Sequence, residues 1–551
     1  MTPAPGARTV AHAVGEALVT AGVDTVFGVV GSGNFVATTA MVAAGARYVA
    51  ARHEGGAATM ADAYARTSGR PAVLSVHQGC GLTNALTGIT EAAKSRTPLV
   101  VLTAEATSPR SNFFVDQPAL AAAVGALSVR VTSAADAATQ AAAAVARARD
   151  ERRVVVLNLP LDVQGAGAGH AALPLTAPPP APPAAGRELE LLADALRQAR
   201  RPVFVAGRGA RGPGCREALE ELAGRCGALL ATSAVAKGLF RGSPWDLDVS
   251  GGFATPLAAE LISGADLVVG WGCALNMWTM RHGRLIADDA VVVQVDLDAD
   301  AVGAQREVAF GVVGDVRAVA EAAVAGLGDD GATGYRTPEV REALSRRGRW
   351  RDEPFADAGD GERIDPRTLT IALDDLLPAD RVVAVDSGNF MGYPSMFLDV
   401  PDEHGFCFTQ AFQSVGLGLA TAIGAALARP DRLPVAALGD GGALMGAAEL
   451  ETVVRLGLPM VVVVYDDAGY GAEVHHFGPD GHPLDVVRFP ETDFAAIARG
   501  HGYSAVTVRR PADLDGVAAW LAGPRSAPLL VDAKVARDEP SWWLDEAFRG
   551  H

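Results

Sequence analysis

Residues 433–473 read LPVAALGDGGALMGAAELETVVRLGLPMVVVVYDDAGYGAE. An apolar run, Leu433 to Leu438, stops at Gly439-Asp440-Gly441-Gly442, and a helical pattern follows with Ala443, Ala447, Leu450 and Val454 on one face. A second buried run, Met460 to Val464, ends at Tyr465-Asp466-Asp467-Ala468-Gly469. Strand, helix and strand in this order form a βαβ unit, whose right-handed crossover makes the two strands parallel. Both acidic ends then lie at the carboxyl edge of one sheet, the edge where open α/β sheets bind ligands. Asp440 and Asp467 can converge there on one hard cation, and the glycines let backbone N–H groups approach an anion at the helix start. The chemistry implied is a divalent metal pinning a phosphate-bearing cofactor.

Working outward, 551 residues at about 100–200 per domain suggest three or four domains. Apolar residues make up 49% and charged residues 20%, which suits a soluble α/β protein. The net charge of −17 argues against nucleic acid or an anionic membrane surface as a partner, though not against an anionic substrate. Five scattered cysteines (80, 215, 226, 273, 407) fit a reducing compartment. The sequence shows no apolar run of membrane-spanning length and no signal-peptide pattern, so the expected location is the cytoplasm.

From about residue 8 to 165, helical patterns alternate with apolar runs at Thr25–Val30, Tyr48–Arg52, Ala72–His77, Leu99–Thr103 and Val154–Leu157. Such alternation predicts a parallel sheet with helices on both faces. Leu173 to Gly186 is a Pro/Ala-rich linker. A second α/β unit starts at Pro202 and runs to about Leu327, with strands near Leu229–Thr232, Leu267–Gly270 and Val291–Val295. Gly326 to Glu362 reads as another linker with a partly helical middle, and the opening βαβ unit belongs to a last domain from Arg363 onward. The expected organisation is three doubly wound parallel-sheet domains at 1–170, 187–327 and 363–551, with no close sequence repeat among them. The short acidic tail with Trp542-Trp543 reads as a surface-docked end, with packing on a neighbour as the alternative.

Two blocks point to a family. The Asp440 block places GDG 24 residues (442 to 465) ahead of an acidic pair. The first domain carries His53-Glu54-Gly55-Gly56-Ala57, continuing to Ala61 and Tyr64-Ala65-Arg66. Glu54 alone at a helix start would read as a cap favoured by the dipole. Together the blocks resemble the thiamine-diphosphate-dependent 2-oxo-acid decarboxylases and carboligases, whose familiar members include acetolactate synthase, pyruvate decarboxylase and benzoylformate decarboxylase. The run Gly79-Cys80-Gly81-Leu82-Thr83-Asn84-Ala85-Leu86-Thr87-Gly88 is similar to that family's G-P-G-x-T-N-x-x-x-G, with Cys80 where Pro is usual. The resemblance spans about residues 8 to 535 and implies the order pyrimidine-binding, central and diphosphate-binding domain. It also implies a homodimer or homotetramer with each site shared between subunits.

Carried over residue by residue, the resemblance implies Mg²⁺ held by Asp440, the Asp467 side chain and the Gly469 carbonyl. Asp466-Asp467 replaces the family's Asn-Asn, which keeps an oxygen ligand and adds charge. Gly439, Gly441, Gly442, Ala443 and Tyr470 would bind the cofactor, and the strand-end loop Asp386-Ser387-Gly388-Asn389-Phe390 should touch its diphosphate, with a plain turn as the competing reading. Val415 falls where a large apolar residue bends the cofactor, and an ordinary core valine is the competing reading. Glu54 would bind the aminopyrimidine ring and exchange a proton with it. Ser32 and His77 fall where benzoylformate decarboxylase carries a substrate-facing Ser and His, and Glu473 where pyruvate decarboxylase carries an active-site Glu. The run Ser111 to Gln117 resembles the substrate-side loop. His475 and His476 lack a third partner at metal-ligand spacing, which argues against zinc.

In the central domain, Val205-Ala206-Gly207-Arg208-Gly209 is too short a glycine pattern to establish a nucleotide site. Cys273 to Trp278 stands where acetolactate synthases often show Arg-Phe-Asp-Asp-Arg, so FAD is possible but not favoured. The function expected is ThDP- and Mg-dependent decarboxylation of a small-molecule 2-oxo acid, with transfer of the acyl unit to a second carbonyl as in acetolactate synthase. Two alternatives stand beside it: a decarboxylase releasing an aldehyde, and a catalytically silent subunit of the same fold.

Overall fold

A computed structural model describes residues 8–169, 186–328 and 334–547; nearly all of the Pro/Ala-rich linker lies outside these. The described chain forms three six-stranded sheets, all of whose strand pairs are parallel. The first contains β1 (Thr25–Gly28), β2 (Arg47–Ala50), β3 (Ala72–Val76), β4 (Leu99–Glu105), β5 (Leu127–Arg130) and β6 (Val154–Pro160), ordered β2-β1-β3-β4-β6-β5. The second contains β7 (Pro202–Ala206), β8 (Leu229–Thr232), β9 (Asp246–Val249), β10 (Leu267–Trp271), β11 (Val291–Asp296) and β12 (Phe310–Val313), ordered β12-β11-β10-β7-β8-β9. The third contains β13 (Arg381–Val385), β14 (Phe406–Phe408), β15 (Leu433–Gly439), β16 (Val461–Asp466), β17 (Ser504–Val508) and β18 (Leu529–Lys534), ordered β14-β13-β15-β16-β18-β17.

Counted within each domain, the first and third sheets have the same strand order, a repeat of topology without a visible repeat of sequence. The second has the order of doubly wound dinucleotide folds. Its central strands read as continuous apolar runs because helices cover both faces. Edge strands β5, β9 and β17 mix polar residues into the run, and β12 and β14 are only four and three residues long, which is why the sequence pattern passed over them.

The first and third domains share one core. The helix Glu54–Ser68 and the helix Gly418–Ala428, both rich in Ala and Gly, are buried against each other. A Cβ on Gly424 would stand 2.3 Å from the Met60 carbonyl oxygen. Gly424→Ala therefore should destabilise the protein by about 1–3 kcal/mol through overpacking, despite the roughly 1 kcal/mol that Ala gains in helix propensity. Denaturant unfolding checks the sign; an unchanged or raised midpoint would remove the close-packing argument.

Buried Arg66 reinforces the same junction. Its Nε donates to Asp62 at 2.8 Å, its Nη2 to Glu91 at 2.8 Å, and its Nη1 to the Phe408 carbonyl across the domain boundary. Glu91 in turn accepts the backbone N–H groups of Ala411 and Phe412, at 3.1 and 2.6 Å.

Two expectations are corrected here. The crossover after Asp440 is not one amphipathic helix: a short helix Asp440–Met445 breaks at Gly446, a 3₁₀ turn Ala447–Glu449 follows, and helix Leu450–Arg455 completes it. Nor is the tail merely docked at the surface. Trp543 is fully buried, its ring lies where a Cβ on Gly392 would be, and its Nε1 donates to the Asn389 carbonyl at 3.1 Å.

Candidate functional site

At the carboxyl edge of the third sheet, β15 delivers Gly439-Asp440, β16 delivers Asp466-Asp467, and β13 delivers the loop Asp386 to Asn389. The two neighbouring aspartates have separate roles. Asp466 is buried, accepts from Lys534 Nζ at 2.6 Å, and accepts the Ala468 N–H at 2.9 Å. That contact steadies Ala468 in a left-handed conformation (φ 58°), uncommon for a residue with a Cβ. The reversal there turns Gly469 back, and its N–H donates to Asp440 Oδ2 at 3.0 Å. Asp467 instead faces Asn389, whose Nδ2 lies 3.4 Å from Asp467 Oδ2.

Burial, then the nearby Asp467 and Asp466 charges, push the Asp440 carboxyl up to about 8. Burial chiefly pushes Asp467 up to about 6. Among the described residues neither carboxylate pairs with a cationic side chain. The Asn389 Oδ1, also buried, has no hydrogen-bond partner. Two half-buried carboxylates beside an unused oxygen acceptor are an oxygen donor set suited to a hard divalent cation.

The glycines are set by close approach. A Cβ on Gly441 would lie 2.5 Å from the Tyr470 ring, one on Gly442 would lie 2.3 Å from Asp386 Oδ2, and one on Gly471 2.3 Å from Asp467 Oδ2. Gly388 has φ 143°, which glycine alone adopts readily. Asp386 was not anticipated as a scaffold. Fully buried, it accepts the N–H groups of Ser387, Gly416 and Leu417, which fixes the loop that presents Val415. Desolvation holds its carboxyl up at about 7.

These residues line a cavity of about 1310 Å³ that runs on to the carboxyl edge of the second sheet. Val415, Gly388, Asn389, Gly439, Asp440, Gly441, Gly442, Asp467, Gly469, Tyr470 and Glu473 all border it, while Ala443 is buried behind it. At the second sheet the Gly207 and Gly209 N–H groups donate to the Trp271 and Gly272 carbonyls, at 2.9 and 3.0 Å. That glycine pair therefore serves the crossing of two loops. It does not present free N–H groups to a phosphate.

Glu54, His77 and Ser32 do not join this group. They cluster at the carboxyl edge of the first sheet, outside the cavity lining. Glu54 Oε2 accepts from Asn84 Nδ2 at 3.0 Å. The His77 ring lies 5.0 Å from the Phe113 ring of the Ser111–Gln117 run, its Nε2 is 3.5 Å from Ser32 Oγ, and its Nδ1 is buried without a partner. Gly31 leaves space for the imidazole, since a Cβ there would lie 2.0 Å from it. Each cluster has an apolar rim open to solvent: Phe35, Phe113 and Phe114 on one, Phe412, Val415, Leu444 and Met445 on the other.

Three parallel-sheet domains, with an acidic pair on the last and a helix-opening Glu on the first, define a cofactor-dependent α/β enzyme. The chain belongs to the thiamine pyrophosphate enzyme family. The family's N-terminal TPP binding domain matches residues 8–123, its central domain residues 189–323 and its C-terminal TPP binding domain residues 386–533. The protein is thus a thiamine-diphosphate-dependent enzyme of the class acting on 2-oxo acids.

Similar proteins include one described as "Probable 2-ketoarginine decarboxylase AruI" from Pseudomonas aeruginosa, 32% identical over 92% of this chain and 90% of that protein. A sulfoacetaldehyde acetyltransferase of Castellaniella defragrans is 29% identical over 92% and 89% of the two chains. An acetolactate synthase large subunit of Parasynechococcus marenigrum is 28% identical over 97% and 89%. Among the described residues no helix is long and apolar enough to cross a membrane.

Proposed function

We propose that the protein decarboxylates a 2-oxo acid and transfers the remaining acyl unit to a second carbonyl compound, using thiamine diphosphate and Mg²⁺. The observation that carries the cofactor reading is the half-buried pair Asp440 and Asp467, without a cationic partner among the described residues, beside the unpartnered Asn389 oxygen. Bound there, the cofactor's thiazolium supplies the electron sink for cleaving a bond next to a carbonyl. Asp440, Asp467 and the Gly469 carbonyl would hold the metal, and through it the diphosphate, against the glycine-lined cradle of residues 439–442. Glu54 would hold and release a proton at the aminopyrimidine. His77 and Glu473 are the groups available to move protons at the substrate oxygen. Phe113 and Phe412 would exclude water.

Group transfer is favoured by the acetyltransferase and acetolactate synthase among the relatives. Aldehyde release is the second reading. The His77–Ser32 pair and Glu473, each able to deliver a proton to the acyl carbon, speak for it, as does the decarboxylase relative. Incubation with thiamine diphosphate, Mg²⁺ and a panel of 2-oxo acids, with and without an aldehyde acceptor, separates the two. Transfer gives a ligated product by mass spectrometry, release gives the free aldehyde in both arms, and no CO₂ from any acid would sink both readings.

Because Glu54 and Asp440 of one chain lie in different clusters, each with an exposed apolar rim, we further propose a dimer or tetramer. In it, Glu54 of one subunit faces Asp440 of another. Mixing Glu54→Gln and Asp440→Ala proteins in equal amounts under subunit exchange should then restore roughly a quarter of wild-type activity, because about half of the randomly formed dimers are hybrids and one of the two sites in each hybrid is intact. Demonstrated exchange with no recovery would count against shared sites.

A further inference from the structure

The crossover that begins at Asp440 ends its 3₁₀ turn at Glu449, a buried acid in the diphosphate-binding domain. Its side chain reaches into the pyrimidine-binding domain. Oε1 accepts the N–H of Arg52 at 3.0 Å and that of His53 at 3.1 Å, and Oε2 accepts the Thr452 hydroxyl at 2.6 Å. A Cβ on Gly56 would stand 2.4 Å from Oε1, so the carboxylate rests on the first turn of helix Glu54–Ser68. Neighbouring side chains tighten the same grip: Arg52 Nε pairs with Glu451 at 2.6 Å, and Arg455 donates to the Ala50 carbonyl. Arg52 and His53 are the two residues immediately before Glu54.

We propose that Glu449 is a positioning residue: it fixes the backbone that carries Glu54 and so sets where the Glu54 carboxylate meets its proton partner. The inference rests on the reading of Glu54 as the proton-exchanging group. Three donors converge on the Glu449 side chain, and an acceptor-only carboxylate can satisfy all of them. Its negative charge also faces the positive end of the helix that Glu54 opens. A carboxylate anchored to a βαβ crossover holds this loop with less play than a loop contact would. Misplacing an acid–base group by a fraction of an ångström to an ångström lowers its efficiency by about ten- to a hundredfold. The element that presents Asp440 at one end therefore holds the Glu54 loop at the other.

Two variants test this. Glu449→Gln keeps the shape and removes the charge. Gly56→Ala keeps the charge and displaces the carboxylate, since the new methyl occupies its place. Amide hydrogen exchange, read by mass spectrometry on the cofactor-free protein, reports the Arg52 and His53 N–H groups directly. Their protection should fall about tenfold in both variants. Deuterium exchange at the thiazolium C2 of bound cofactor, at saturating thiamine diphosphate and Mg²⁺, should slow about ten- to a hundredfold, while calorimetric affinity for the cofactor stays within about threefold. Lost amide protection with unchanged C2 exchange in both variants would leave Glu449 a purely structural contact and overturn the proposal. So would unchanged amide protection in both. Glu54→Gln run in parallel keeps the two ideas apart. If it slows C2 exchange and neither new variant does, only the positioning role falls. If it has no effect, the reading of Glu54 falls and the positioning role with it.

Discussion

Asp440→Ala is expected to abolish retention of thiamine diphosphate at working concentrations, with the affinity measured in the presence of Mg²⁺ falling by at least about a hundredfold. The loss follows from the donor set: Asp440 supplies one of two carboxylates, and the Gly469 N–H donates to it from across the loop. Two control variants sharpen the result. Asp467→Asn keeps an oxygen that can coordinate, so it should cost less than about tenfold. Asp466→Asn should instead damage stability, by about 1–3 kcal/mol, because buried Lys534 loses one of its two carboxylate partners and keeps Asp532 at 2.8 Å. Calorimetric titration and denaturant unfolding read the two effects independently. Asp440→Ala that binds cofactor normally would remove the metal assignment.

The same pair carries a pH dependence. Burial and neighbouring charge raise the Asp440 carboxyl to about 8 and Asp467 to about 6 in the metal-free protein. A cation binds the deprotonated carboxylates, so protons compete with it below these values. Apparent Mg²⁺ affinity should therefore rise between about pH 6 and pH 8 and level off above. A flat profile over that range would mean that the two groups do not ligate the metal.

The βαβ unit at 433–473 was legible because buried parallel strands write themselves as unbroken apolar runs ending in glycine and acid. Asp440 and Glu54 were legible because each sits where a strand ends and a helix opens. What the sequence hid was contact across domains. Glu449 and Glu91 look like ordinary helical glutamates until the fold brings backbone N–H groups 396 and 320 positions away onto them. Asp386 looked like a turn residue, yet it is the buried anchor of the Val415 loop. Trp543, in a polar tail with no periodicity, gave no signal of its packing on Gly392. The separation of Glu54 from Asp440 was likewise open only to the resemblance, since spacing along the chain carries no information about which cluster a residue joins.

Glu54→Gln is expected to lower turnover by roughly 10²–10⁴-fold while leaving the fold intact. Glutamine is nearly isosteric and can still accept from Asn84 Nδ2, which lies 3.0 Å from the Glu54 carboxylate. It cannot exchange a proton at the operating pH. The competing account makes Glu54 a helix cap, worth about 1 kcal/mol of stability and nothing in rate. The contacts already weaken that account. The cap of helix Glu54–Ser68 is His53, whose Nδ1 accepts the Gly55 N–H at 3.0 Å, and the carboxylate resting on the first turn belongs to Glu449. Glu54 is thus half-buried at a helix start without capping it, and its one side-chain partner among the described residues is the Asn84 amide. Deuterium exchange at the cofactor's thiazolium C2, quenched in acid and read by NMR, tests the proton role without knowledge of the substrate. Far-ultraviolet circular dichroism and Mg²⁺ titration of the same protein show whether fold and metal site survive. Slowed exchange in a folded, cofactor-loaded variant fits only the proton-transfer role, whereas wild-type exchange with a lowered unfolding midpoint would return Glu54 to the status of a structural acid.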